Sequence, residues 1–232
     1  MGRRRRMSNP LHWRCESIVR AFGNRHRGWR RWLFAAAAVL LPTAVLHAAL
    51  SPEQPDVAAP ASLAGQLLIA SPDMGEPFDH AVILMAQHTR DGALGIVINH
   101  PLATRPIAKI LDALGADSGG VTGSVPIFLG GPVGATTAFA VHSSDYRRDH
   151  TLYIDDRVAL SDAVDVLRDI GLGRGPAKSL VALGYAGWGP SQLDDEIARG
   201  AWVTVPEDPH LVFDDDRAKV WTDAMALHKN ER

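Results

Sequence analysis

The chain has 232 residues, 46% hydrophobic and 6% aromatic, which is enough for one packed domain plus an appendage. Its charge is split: residues 1–50 hold ten arginines against one glutamate, and residues 51–232 hold fourteen basic against twenty-five acidic side chains. An acidic domain argues against nucleic acid as a partner, because phosphate binding needs a basic face, and the lone cysteine, Cys15, excludes an internal disulfide.

Residues 1–50 read as a basic leader. Arginines, among them Arg3 to Arg6 and the pair Arg30-Arg31, precede an apolar stretch over residues 32–50. A basic segment followed by an apolar one is the pattern of an export signal or signal anchor, and this apolar stretch is long enough to cross a bilayer. The expected location is therefore exported or anchored in the inner membrane, with membrane contact through residues 32–50. The other reading has translation starting later and the domain in the cytoplasm. Residues 51–62, rich in Pro and Ala, read as a linker, and the domain runs from 63 to 232.

Within the domain, residues 66–70 form an apolar run ended by Ser71-Pro72, which predicts a strand. Residues 80–87 form a near-continuous apolar run, as in a strand buried on both faces. After the turn Arg90-Asp91-Gly92, residues 93–99 predict the returning strand of a hairpin. Residues 101–105 read as a loop. Ile107, Ile110, Leu111 and Leu114 recur at helical spacing over 106–114. Short strands follow over 127–129, 138–142 and 151–154. Ser161 reads as the cap of a helix through Ile170, stopped by Gly171.

Residues 180–183 predict a strand leading into a glycine-rich turn over 184–190, then a helix capped by Ser191 with Asp194 and Asp195 in its first turn. Residues 202–205 predict a strand and 214–228 a last helix. Interspersed strands and helices with an early hairpin indicate an α+β domain with a mixed sheet.

Several residues are candidates for a ligand site. Tyr185 and Trp188 are flat amphipathic side chains on a glycine-rich backbone with Gly187, suited to lining a recess. Gly130 and Gly131 supply a second turn, whose position relative to the first the sequence leaves open. Gln192 and Glu196, four apart, share a helix face. His88, Asn99 and His142 each lie at the end of a predicted strand. No His pair has metal-binding helical spacing, so no metal is expected, and no cofactor motif is present. The serine at 191 lies outside a nucleophile-elbow pattern, and Asp214-Asp215-Asp216 lacks the spaced ligands of a calcium loop.

The stretch Gly65-Gln66-Leu67-Leu68-Ile69-Ala70-Ser71-Pro72 resembles the opening of the YqgE/AlgH family, as do Gly92-Ala93-Leu94-Gly95 and Asn99-His100-Pro101-Leu102. Gly130-Gly131-Pro132-Val133 and Val141-His142 resemble its middle. Leu183-Gly184-Tyr185-Ala186-Gly187-Trp188, with Gln192-Leu193, Glu196 and Trp202, resembles its most recognisable segment. The resemblance implies a single compact domain with a mixed, barrel-like sheet surrounded by helices. It implies no established activity, although family members have been described as regulators of transcription.

Three functions follow as expectations. The first is a non-enzymatic domain that binds a small molecule or a protein, using a cleft near Tyr185, Trp188 and the Gly130 turn. The second is a hydrolase-like enzyme using His142, His88 or Glu196. The third is a transcriptional regulator, which the acidic domain opposes.

Overall fold

The structure, a computed structural model, describes residues 62–230. The leader helix and linker expected before residue 62 lie outside the described residues. In chain order the elements are β1 (Gln66–Ala70), β2 (Val82–Thr89), β3 (Gly92–Val97), β4 (Pro101–Pro106) and α1 (Ile107–Ala113). Next come β5 (Ser124–Leu129), β6 (Val133–Ser143), β7 (Leu152–Tyr153), β8 (Val158–Asp162) and α2 (Ala163–Gly171). The chain then forms β9 (Ser179–Trp188), α3 (Gln192–Ala198), β10 (Trp202–Pro206), α4 (Pro209–Val212) and α5 (Val220–Asn230).

The ten strands make one curled, barrel-like sheet in the order β10-β1-β2-β3-β9-β6-β8-β7, with β5 joined to β9 and β4 to β5. All pairings are antiparallel except β5 with β9. The domain is thus α+β with a mixed sheet.

β9 holds the sheet together because it changes neighbour along its length. Its first half, through Val181, Ala182 and Leu183, lies between β5 and β6. Its second half, through Ala186, Gly187 and Trp188, pairs with β3. Each half covers its own core. Ile107, Leu111, Val166, Leu167 and Val181 pack together on one side of the change. Leu68, Ile83, Met85, Ala186, Trp188, Leu193 and Trp202 pack together on the other.

The predicted turn over 184–190 is the main correction: residues 184–188 continue β9. The glycines there serve close backbone contact rather than a loop. Gly184 has φ +72°, and a Cβ on it would lie 2.4 Å from the Gly131 carbonyl oxygen. Gly131 has φ +148°, and a Cβ there would lie 2.2 Å from the Tyr185 carbonyl carbon. Only glycine permits both the conformation and the approach.

Four further differences are local. Residues 101–105, expected as a loop, form the edge strand β4, whose prolines are tolerated because its outer side needs no ladder donor. Ser161 belongs to β8; Asp162 caps α2 by accepting from the Val164 amide at 2.9 Å. Ser191 has φ 59° and caps nothing with its side chain, while Gln192 Oε1 accepts from the Gly189 amide at 3.1 Å just ahead of α3. The predicted last helix begins later, at Val220, after the short α4.

Candidate functional site

The two glycine-rich stretches, whose relation the sequence leaves open, meet in direct backbone contact. Gly130 donates to the Leu183 carbonyl at 2.8 Å and accepts from the Val97 amide at 2.9 Å, tying β3, β5 and β9 together. Strand geometry also separates the two aromatics. Side chains three apart on a strand face opposite sides. Trp188 joins Ala186 in the core and is 3% exposed. Tyr185 lies on the other face with Gly187, its ring close to Gly134 and edge-on to Phe139. The expected single recess lined by both rings is therefore replaced by a buried Trp188 and a half-buried Tyr185.

On the Trp188 side, α3 brings four of the expected residues together. His88, Ala93 and Trp188 are in register across β2, β3 and β9. Glu196 Oε2 accepts from the indole N–H of Trp188 at 2.9 Å and of Trp202 at 2.8 Å. Its Oε1 accepts from Gln192 Nε2 at 2.9 Å. The indoles pack edge to face with ring centroids 6.0 Å apart. Burial pushes the Glu196 carboxyl up, but the donors from Trp202, Gln192 and Trp188 outweigh it and hold the group below its ordinary value. His88 Nδ1 accepts from the Leu63 amide at 3.3 Å, which leaves the proton on Nε2, 3.5 Å from Asp194 Oδ1.

Asn99 and His142 stand apart from this cluster. Asn99 Oδ1 accepts from the Val82 amide and its Nδ2 donates to the His80 carbonyl, both at 2.8 Å, a staple between the end of β3 and the start of β2. His142 is fully buried in β6. Its Nδ1 donates to the Ser143 carbonyl at 2.9 Å, so Nε2 accepts from the Ser161 hydroxyl at 2.9 Å. Thr151 Oγ1 lies 2.8 Å from the same Ser161 oxygen. Burial lowers the His142 pKa, against the opposing Ser143 carbonyl and Asp145, and so favours the neutral ring.

A third cluster was legible only in part. Tyr146 packs edge-on to His142 and donates to Asp169 Oδ2 at 2.8 Å. Arg148 donates to the same oxygen through Nε, at 2.9 Å, and through a terminal nitrogen. Arg174 reaches Asp169 Oδ1 at 3.2 Å. These residues, with Asp145 and Arg147, line an open hollow of about 300 Å³. Arg147 and Arg148 are adjacent in the sequence. Arg174 and Asp169 join them only because α2 turns back beside the loop after β6.

One buried carboxylate carries a further anomaly. Glu207 Oε2 accepts from Arg157 at 2.6 Å, whereas Oε1 is buried without a partner. Burial and the neighbouring Asp155 push its carboxyl up to about 8, overriding the attraction of Arg157. Among the described residues, no group of three or more His, Cys, Asp or Glu side chains is placed to hold a metal ion. Among them, too, no helix is long and apolar enough to cross a membrane.

A curled α+β sheet crossed by one shared strand defines a fold class rather than an activity. The AlgH-like family model matches residues 67–231, and the chain belongs to that family. It is 43% identical over 166 residues to a UPF0301 protein of Jannaschia sp. (strain CCS1), covering 70% of this chain and 86% of that protein. It is also 43% identical over 169 residues to a UPF0301 protein of Sphingopyxis alaskensis, covering 72% and 90%. The solution structure of the AlgH protein from Pseudomonas aeruginosa is similar, with TM-score 0.62 and 36% identity over 72% of this chain and 89% of that one. A crystal structure of a Corynebacterium diphtheriae protein shares the fold, with TM-score 0.57 and 23% identity over 69% and 84% of the two chains.

Proposed function

We infer that this domain is a non-enzymatic binding or regulatory module for a small molecule or protein. The observation that carries the reading is the engagement of its acid–base side chains. Glu196 has both oxygens taken, and His142 has both ring nitrogens taken. His88 is held between Leu63 and Asp194, in the other half of the sheet from His142. A general acid or base must reach the proton that it moves, and these groups reach only their internal partners.

The outward feature is Tyr185, half-buried on a strand face beside exposed Gly134 and Gly187. A flat ring over open backbone suits a planar or apolar partner group. Titration of the full chain with short peptides and nucleosides, read at the Tyr185 ring and the Gly134 and Gly187 amides, tests this. Saturable shifts that Tyr185→Ala removes support the reading; silence across the panel counts against it.

A hydrolase-like reading is favoured by one observation, the 2.9 Å hydrogen bond between Ser161 and His142 Nε2, which has nucleophile–base geometry. Against it, Ser161 is 8% exposed and its oxygen is shared with Thr151. Covalent labelling of Ser161 by a fluorophosphonate would favour that reading, and an unlabelled serine would dismiss it. For a transcriptional regulator, salt-dependent gel-shift binding by the chain is the corresponding test.

A further inference from the structure

The geometry points to a second binding site, in the hollow between the loop after β6 and the loop after α2, for a small oxyanion such as a phosphate or carboxylate group held by Arg148 and Arg174. The site lies on the other half of the sheet from Trp188 and does not depend on the Tyr185 face.

The charge arrangement carries the inference. Asp169 has a side chain 4% exposed, and a buried carboxylate needs a cation to offset its lost hydration. Arg148 supplies that cation through two nitrogens on Oδ2, and the Tyr146 hydroxyl donates to the same oxygen. Arg174 is therefore surplus to neutralisation. It touches Asp169 through one nitrogen at 3.2 Å, and its side chain is 66% exposed. A guanidinium carries five N–H donors, so most of those on Arg174 and several on Arg148 remain open.

The negative groups in the hollow are not open in the same way. Asp145 Oδ1 accepts from the Ser143 hydroxyl, and its Oδ2 accepts from the Ala177 amide at 3.1 Å. Asp169 is enclosed by its own donors. Arg147 adds a third cation, held over the Tyr153 ring with its guanidinium carbon 5.3 Å from the centroid. Three guanidinium groups thus meet two satisfied carboxylates, in a domain whose overall charge is acidic. A local excess of this sign does not follow from composition.

Shape agrees with charge. The hollow holds about 300 Å³, at the lower end of the roughly 300–1,000 Å³ range of ligand pockets, so it fits a small molecule. Asp169 fixes Arg148 and Arg174 before any ligand arrives, which reduces the entropy lost on binding. Guanidinium forks match the paired oxygens of phosphate and carboxylate.

The test is a titration of the full chain with inorganic phosphate and, separately, with succinate, against sodium chloride at matched ionic strength. Binding is read at the arginine Nε–H signals. A saturable shift with either oxyanion and none with chloride is expected, and the tighter of the two assigns the group. Arg174→Gln should weaken binding about tenfold or more, the loss of one charge-assisted contact. Arg174→Lys, which keeps the charge but not the fork, should fall between. Arg168→Gln should bind as the parent does, because Arg168 pairs with Asp117 at 2.9 Å. Equal, unsaturating shifts with all three salts, or parental affinity in a folded Arg174→Gln chain, would overturn the site. Unchanged Tyr185 signals in the same spectra keep this result separate from the Tyr185 reading.

Discussion

Glu196 and Asp169 are carboxylates recruited from helices on opposite halves of the sheet, and they are satisfied in opposite ways. Glu196 takes neutral donors, two indoles and an amide, so the cluster closes on itself. Asp169 takes two guanidinium groups and a phenol, so its cluster has positive charge left over at an open surface. The contrast shows that an acid with all its oxygens engaged is not by itself a functional sign. Its donors decide whether the group ends as a joint in the core or as the foundation of a site.

The comparison can be broken most severely at the junction between the halves. Gly131→Ala places a methyl against the Tyr185 backbone, at a φ that side chains rarely adopt. A loss of about 4 kcal/mol or more, or failure to fold, is expected in chemical denaturation. Retained stability would mean that the halves are joined more loosely than the glycine contacts imply.

Next in size is Glu196→Ala, which leaves the buried Trp188 and Trp202 indole N–H groups unpaired, at about 1–3 kcal/mol each. The pH dependence sharpens this. The folded-state pKa of Glu196 lies below its ordinary 4.5, so its contribution is present above that value and lost as pH falls through the lowered one. Stability curves of the parent and Glu196→Gln should therefore converge at acid pH.

Glu207 should behave with the reverse sign. Its folded-state pKa is raised from 4.5 to about 8, so the native state holds a proton that the unfolded chain releases. Stability from this group is full below 4.5 and is lost as pH rises through about 8. Glu207→Gln should flatten that slope, measured as the melting temperature across the window.

The smallest effect belongs to the open cluster. Arg174→Gln should change stability by less than about 0.5 kcal/mol, because Arg174 is itself 66% exposed while Arg148 and Tyr146 still pair the buried Asp169. A larger loss would make the second arginine part of the core support, like the donors of Glu196.

Much of the framework was readable because it is written locally. The apolar runs that became β1, β2 and β3 and the helical spacing of Ile107, Ile110 and Leu111 were visible without coordinates. The reading failed where distant chain supplies the reason for a residue. Gly184 looked like a turn residue, but its partner is Gly131, and the pair allows β9 to remain a strand. That single change of state sent Tyr185 and Trp188 to opposite faces. Glu196 and Gln192 were seen as neighbours from their spacing, whereas the Trp202 donor comes from β10. Arg174 gave no signal, because its meaning depends on Arg148, which reaches the shared Asp169 from a distant loop.

Hydrogen exchange at the Trp188 and Trp202 indole N–H groups, followed by NMR on the folded chain, reads the central claim directly: the Glu196 cluster is a closed structural joint and not an accessible acid. Exchange of both indoles only at the rate of global opening is the expected result. Rapid exchange at either indole under native conditions would contradict it, since a carboxylate that solvent reaches so readily is also free to meet a substrate.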